Sequence, residues 1–281
     1  MNLPTKTFVY LGPQGSYTEI ALDKFLMSLN LTNPATMIKT SIIKVIEAVS
    51  QDKSLTGIVP IENSIEGIVR ETVDNLLRAS EDLFITCEKV IPISHCLISK
   101  TDNINKIKKI VSHPQALAQC QHYINTKLSS DIIVEHASST AAAVKSLTET
   151  ADEIGAIGTE KSASIYGLHI VDKEINDIAE NKTRFVMIDN YIPEATGNDK
   201  TSIAFSTKNE TGCLVKVLNI FKDYNISLCY IESRPSKKIF GEYIFFVDFE
   251  GHIKDEKVSS ALELIKPMIN FYRLLGSYPK A

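Results

Sequence analysis

The strongest constraint on this chain is an alternation that runs through its first 190 residues: short apolar runs, each followed by an amphipathic stretch of helical period. Thr7–Leu11 (TFVYL) has the profile of a buried strand, and GPQG then turns the chain toward a helix beginning near Ser16. In that helix Ile20, Leu22, Phe25, Leu26 and Leu29 form one apolar stripe. Ser16 followed by Glu19 is the S-x-x-E signature of a capping box. The same rhythm recurs in TMIKT then SIIKVIEAVSQ, TGIVPI then ETVDNLLRA, KIVSH then PQALAQCQHYINTK, IIVEHAS then STAAAVKSLTET, and IGAIGT then TEKSASIYG, with KTRFVMID as a closing strand. Strands alternating with helices across short connections predict an α/β domain over residues 1–190, its sheets covered by helices.

The rhythm then breaks. Asp189–Lys200 lacks periodicity and carries Pro193 and Gly197, so a linker is expected over 191–200. Residues 201–281 read strand, helix, strand, strand, helix, strand, with the second helix bent or broken near Pro267. The order βαββαβ predicts an α+β ferredoxin-like domain.

Charge and cysteine content narrow the function classes. Lys and Arg number 30 against 34 Asp and Glu, a net charge of −4, and no dense basic run offers a footprint for phosphates. Nucleic acid is not expected as a partner. The five cysteines lack Cys-x-x-Cys spacing and four sit in apolar surroundings, which predicts buried thiols in a reducing compartment and a cytoplasmic protein. MNLPTKTFVYLG does not read as a leader, and no apolar stretch reaches the ~18 residues of a spanning helix, so no membrane partner is expected.

Polar residues collect at the strand-to-helix turns, where open α/β sheets bind ligands. Gly12–Glu19 sets two glycines before a helix start, a turn that suits an anion or simply a tight cap. Glu62, Asn63 and Ser64 end a strand; Ser112, His113 and Gln115 surround Pro114 at the next turn; Ser139 and Thr140 open a helix of small residues. Arg184, between Thr183 and Phe185, enters an apolar strand, with alternation setting it on the face opposite the other two. Buried there, it needs a partner, and a substrate carboxylate or a protein carboxylate such as Glu62 would serve equally. Dinucleotide, Walker and zinc-ligand motifs are absent, so chemistry without a cofactor is expected.

These segments, in this order, resemble the prephenate dehydratase family: LGPQGSYTEIA, GIVPIENSIEGIVRETVD, VSHPQALAQC, SSTAAAV, IGAIGTEKSA and NKTRFVMI, followed by TGCLVKVL and IESRPSK, which resemble that family's regulatory ACT domain. The resemblance implies an α/β two-lobed catalytic domain similar to type II periplasmic binding proteins, with the active site between the lobes. It implies cofactor-free decarboxylation and dehydration of prephenate, with Thr183 as the catalytic residue. Arg184, Phe185, Glu62, Asn63, Ser64, Ser112, Gln115, Ser139 and Thr140 would be substrate-binding. L-Phenylalanine is the implied effector, held by Gly212, Cys213, Leu214 and Val215 with Glu232, Ser233, Arg234 and Pro235 where two ACT domains pair in a homodimer or homotetramer. Cys213 departs from the family's usual Ala, which puts effector binding in question. No chorismate mutase or prephenate dehydrogenase segment is recognised, so a monofunctional chain is expected. The rival expectations are an arogenate dehydratase and a non-catalytic amino-acid sensor.

Overall fold

Each short apolar run becomes a strand, and the amphipathic stretches become the helices that cover them. The computed structural model describes residues 6–150, 153–208, 210–236 and 242–281. Residues 1–5, read above for a leader, and Lys237, the end of IESRPSK, lie outside the described residues.

The first lobe holds β1 (Thr7–Leu11), α1 (Tyr17–Ser28), β2 (Thr36–Lys39), α2 (Ile42–Gln51), β3 (Leu55–Asn63), the two-residue β4 (Gly67–Ile68), α3 (Arg70–Arg78) and β5 (Phe84–Pro92). The chain then crosses to a second lobe: β6 (Cys96–Ser99), β7 (Lys109–Ser112), α4 (Pro114–Ala118), α5 (Gln121–Lys127), β8 (Ile133–His136), α6 (Thr140–Ser146), β9 (Ile154–Gly158), α7 (Glu160–Tyr166) and β10 (His169–Asp172). It returns in β11 (Lys182–Asp189), which inserts antiparallel between β3 and β5. The second lobe's sheet runs β10-β6-β9-β7-β8.

Strand β11 separates two cores. Val186 and Ile188 face the side packed by α2 and α3, whereas Phe185 and Met187 face the side where Phe25 and Leu22 of α1 pack. The alternation expected of a regular strand holds, with Arg184 on the first side and Thr183 on the second.

The last segment comprises β12 (Asp199–Thr207), α8 (Cys213–Asp223), β13 (Leu228–Pro235), β14 (Tyr243–Glu250), α9 (Glu256–Ile265) and β15 (Ile269–Pro279). Its strand order is β13-β14-β12-β15, the ferredoxin-like order expected for βαββαβ. Helices α8 and α9 cover one face around Phe205, Phe221 and Phe249; on the other face Ala204, Phe246 and Tyr278 join the core of the first lobe.

Three expectations are corrected. Strand β12 starts at Asp199, inside the expected linker, because Lys200 is already buried and paired with Glu88 of β5. The S-x-x-E box of α1 is half-formed: Ser16 accepts from the Glu19 N–H at 3.3 Å, but the Glu19 carboxylate reaches the Gly15 N–H at 2.5 Å. A reciprocal box forms instead between Thr159 and Ser162 at α7. Lastly, the C-terminal sheet is continuous with the first lobe, since β15 pairs with β5 at Gly276 and Ile85, making one sheet of ten strands among the described residues.

Gly276 permits that junction by having no side chain: a Cβ there would lie 2.3 Å from the Ile85 carbonyl oxygen. Gly276→Ala is therefore expected to destabilise the chain by about 1–3 kcal/mol, as overpacking does, read as a lower urea midpoint at unchanged m-value. An unchanged midpoint would contradict the close approach.

Candidate functional site

The lobes are joined by two crossing segments that bond to one another. The Ile93 N–H donates to the Asn181 carbonyl at 2.8 Å, and the His95 N–H donates to Asn176 Oδ1 at 2.6 Å. The lobes also meet where α1 and α7 begin. There the Thr159 hydroxyl donates to the Gly15 carbonyl at 2.6 Å, and Gly15, at φ +82°, leaves no room for a Cβ against Ser162. Glu19 already supplies the negative charge at the start of α1, so the anion seat anticipated at Gly12–Glu19 is filled from within.

The cleft between lobes holds two cavities, of about 240 and about 760 Å³, which share Asn63, His113, Gln115, Ser138, Ser139 and Thr183. Tyr17, His95, Gln119 and Asn181 complete the smaller; Lys39, Thr40, Ser41 and Glu71 contribute to the larger. Lys39 is the one Lys or Arg among these lining residues and has no ion pair among the described residues. No group of three His, Cys, Asp or Glu among the described residues is placed to hold a metal ion.

A chain of polar side chains runs along the cleft floor. Asn63 Oδ1 accepts from the Ile65 and Glu66 N–H groups, both at 3.0 Å, which orients the amide so that Nδ2 points at β11. From there Nδ2 donates to Asn181 Oδ1 at 2.8 Å and Thr183 Oγ1 at 2.9 Å. Asn181 donates in turn to Gln119 Oε1 at 3.0 Å, and His95 Nε2 meets the same oxygen at 3.1 Å. Because the Gln119 oxygen can only accept, His95 carries its proton on Nε2. Burial pushes the His95 pKa below its usual value, against the opposing hydrogen bond to Gln119, so the ring is neutral. The Thr183 oxygen accepts from Asn63, and its hydroxyl hydrogen remains available to donate.

The anticipated catalytic and substrate-binding residues divide. Asn63, Gln115, Ser139, Thr140 and Thr183 line the cleft. Ser112 does not: fully buried, it donates to the Ile157 carbonyl at 2.7 Å and ties β7 to β9. Ser64 is exposed and bonds backbone groups of Glu180 and Lys182. Phe185 is packed in the α1-side core. Arg184 and Glu62 pair with each other at 2.9 Å on the face of β11 away from the cleft, so the protein carboxylate, and not a substrate, is the partner here. Sequence reasoning missed Lys39, His95 and Gln119; a lysine closing a strand just before Thr40 and Ser41 was the one visible signal.

In the C-terminal segment, Gly212, Cys213, Leu214 and Val215 line a cavity of about 240 Å³ with Tyr243 and Phe245. Glu232 and Arg234 are not part of it. Arg234 reaches Asp74 of α3 at 2.6 Å, and Glu232 bonds Tyr230. Ser233 and Pro235 are exposed on the edge strand β13. Within one chain the two stretches expected to share an effector are therefore apart.

A family model described as prephenate dehydratase matches residues 8–192. The chain is 43% identical over 281 residues to a prephenate dehydratase of Methanocaldococcus jannaschii, covering 98% of each. It is 37% identical to arogenate dehydratase/prephenate dehydratase 2 of Arabidopsis thaliana, covering 96% of this chain and 72% of that protein. A solved prephenate dehydratase of Arthrobacter aurescens in complex with L-Phe superposes with a TM-score of 0.87 at 32% identity, covering 98% of this chain and 90% of the other.

Neutral His95 carries a pH signature. Its folded pKa lies below the ordinary 6.5, so on acidification the unfolded chain takes up this proton first. Wild type should lose stability relative to His95→Gln as the pH falls below 6.5, by up to about 1.4 kcal/mol per pH unit until the folded pKa is reached. Urea midpoints at a series of pH values check this; parallel curves for the two proteins would contradict it.

Proposed function

The chain belongs to the prephenate dehydratase family, a family of hydro-lyases, and we propose that its interlobe cleft converts prephenate to phenylpyruvate with Thr183 as the catalytic residue. Prephenate carries a ring carboxylate, a side-chain 2-oxo carboxylate and a ring 4-hydroxyl. The C–C bond to the ring carboxylate breaks to release carbon dioxide; its electron pair enters the ring, and the C–O bond to the hydroxyl breaks. That oxygen takes up a proton and leaves as water, and aromatisation drives the step.

Such a reaction asks a protein to hold one carboxylate, leave the other poorly solvated and assist the departing hydroxyl. Lys39, with the hydroxyls of Thr40 and Ser41, suits the side-chain carboxylate, in place of Arg184. The observation that carries the reading is the Thr183 hydroxyl, which lines the cleft and accepts from Asn63, with its hydrogen available to donate. A threonine hydroxyl is too weak an acid to surrender a proton fully, so its role is to polarise and position the leaving oxygen.

The relative in complex with L-Phe supports phenylalanine as the effector of this chain too. In this reading it binds at Gly212–Val215, with Glu232–Pro235 of a second copy completing the site across the exposed edge of β13. The dual name of the Arabidopsis relative supports arogenate as a second substrate. Five free cysteines support a reducing, cytoplasmic setting. Among the described residues no helix is long and apolar enough to cross a membrane.

Thr183→Ala should lower kcat for phenylpyruvate formation by about 10²–10³ with the melting temperature held. A folded variant with near-wild-type kcat would remove Thr183 from the catalytic role.

A further inference from the structure

Behind the cleft lies a buried group of charges that the reaction does not use. Arg184, 7% exposed, reaches Glu62 through Nε at 2.9 Å, Glu88 through Nη1 at 3.1 Å and Asp248 through Nη2 at 2.7 Å. Lys200 adds two contacts to Glu88, at 2.8 and 2.9 Å. Burial alone would lift the Glu88 carboxyl, but Lys200 and Arg184 overcome it and hold the group below its usual range. Glu88 thus has two cations, whereas Arg184 is the one cation paired with Asp248 among the described residues.

The register makes this cluster matter for the cleft. On β11 and β3, Thr183 stands opposite Asn63 and Arg184 opposite Glu62. The two strands are therefore clamped twice within two residues, by the Asn63–Thr183 hydrogen bond in front and the Glu62–Arg184 pair behind. A bulge in the pairing with β3 follows Arg184 directly, so the ladder is interrupted where the guanidinium holds the strands. The third arm of that guanidinium reaches outside the first lobe, to β14, where Nη2 is ion-paired with Asp248 without a hydrogen bond. Asp248 is itself held by the Ser202 hydroxyl at 2.6 Å and lies opposite Tyr230 of β13, the strand that carries Glu232–Pro235.

We infer that Asp248 is a positioning residue for the catalytic strand, acting through Arg184, and that this pair is the route by which a ligand on the C-terminal domain alters turnover. The second half rests on the reading of the cleft and effector given above. A shift of β13 passes through its ladder to β14, moves Asp248 against Arg184, and tilts the clamp that aims the Thr183 hydroxyl.

Asp248→Asn separates this from a packing role, because the amide keeps the shape and can still accept from Ser202 while losing the charge. The full-length variant should show a KM close to wild type, a kcat lower by about 10–10²-fold, as small misplacements of reacting groups produce, and phenylalanine binding by calorimetry close to wild type. Inhibition by phenylalanine, of the order of 5- to 150-fold if the coupling is of ordinary size, should largely disappear. Asp248→Glu, which keeps the charge, should recover part of it. Wild-type kcat and inhibition in Asp248→Asn would overturn the inference, as would kcat, KM and melting temperature collapsing together. If Asp248→Asn does not fold, Ser202→Ala is read by the same criteria: weakened inhibition with retained phenylalanine binding supports the route, and unchanged inhibition overturns it. A wild-type chain inert toward prephenate defeats the reading of the cleft instead, and the inference with it.

Discussion

A guanidinium enclosed by three carboxylates cannot turn toward anything else, and in this chain that constraint sets which side of one strand becomes the cleft. Arg184 is hydrogen-bonded to Glu62 and Glu88 and ion-paired with Asp248 on one face of β11, so its neighbour Thr183 must face the opposite way, into the space between lobes. Isolated, a buried charge would cost several kcal/mol, and a buried pair is weak evidence of stability in itself. What this group supplies is geometry. It joins β3, β5, β11 and β14 at one point, so the strands that floor the cleft and the C-terminal sheet meet there.

The cleft side is built on another principle. Asn63, Asn181, Gln119 and His95 are neutral amides and a neutral imidazole, each fixing the orientation of the next. Preorganised dipoles of this sort need no rearrangement as charge moves during a reaction, which is how they lower a barrier. Lys39 supplies the cation, and it lines the same cavity as Thr183. The two faces of β11 thus differ in kind: paired charges lie behind the strand, and neutral dipoles line the cleft in front of it.

The alternation of strands and helices was legible because helical period marks the amphipathic helices while short length and flanking turn residues mark the buried strands, and the βαββαβ order was legible for the same reason. Residues whose role depends on direction were harder to read. Ser112 and Ser139 look alike as hydroxyls at a strand-to-helix turn, yet Ser112 is turned into the sheet by its bond to Ile157 and Ser139 caps α6 at the cleft. Glu62 and Asn63 are consecutive, so strand alternation alone sends one to each face. The partner of Arg184 could not be chosen from sequence, because Asp248 lies 64 positions away, on β14 of the C-terminal segment. The junction at Gly276 was invisible for a related reason: a glycine in a strand does not announce which backbone will approach it.

The central claim is that the cleft floored by Asn63 and Thr183 is an active site for fragmenting prephenate. It is tested most directly by supplying the purified full-length chain with prephenate, and in parallel with arogenate, and following phenylpyruvate or phenylalanine together with carbon dioxide. Steady turnover of prephenate is expected, with phenylpyruvate and carbon dioxide released in equal amounts. A folded chain that turns over neither compound would contradict it.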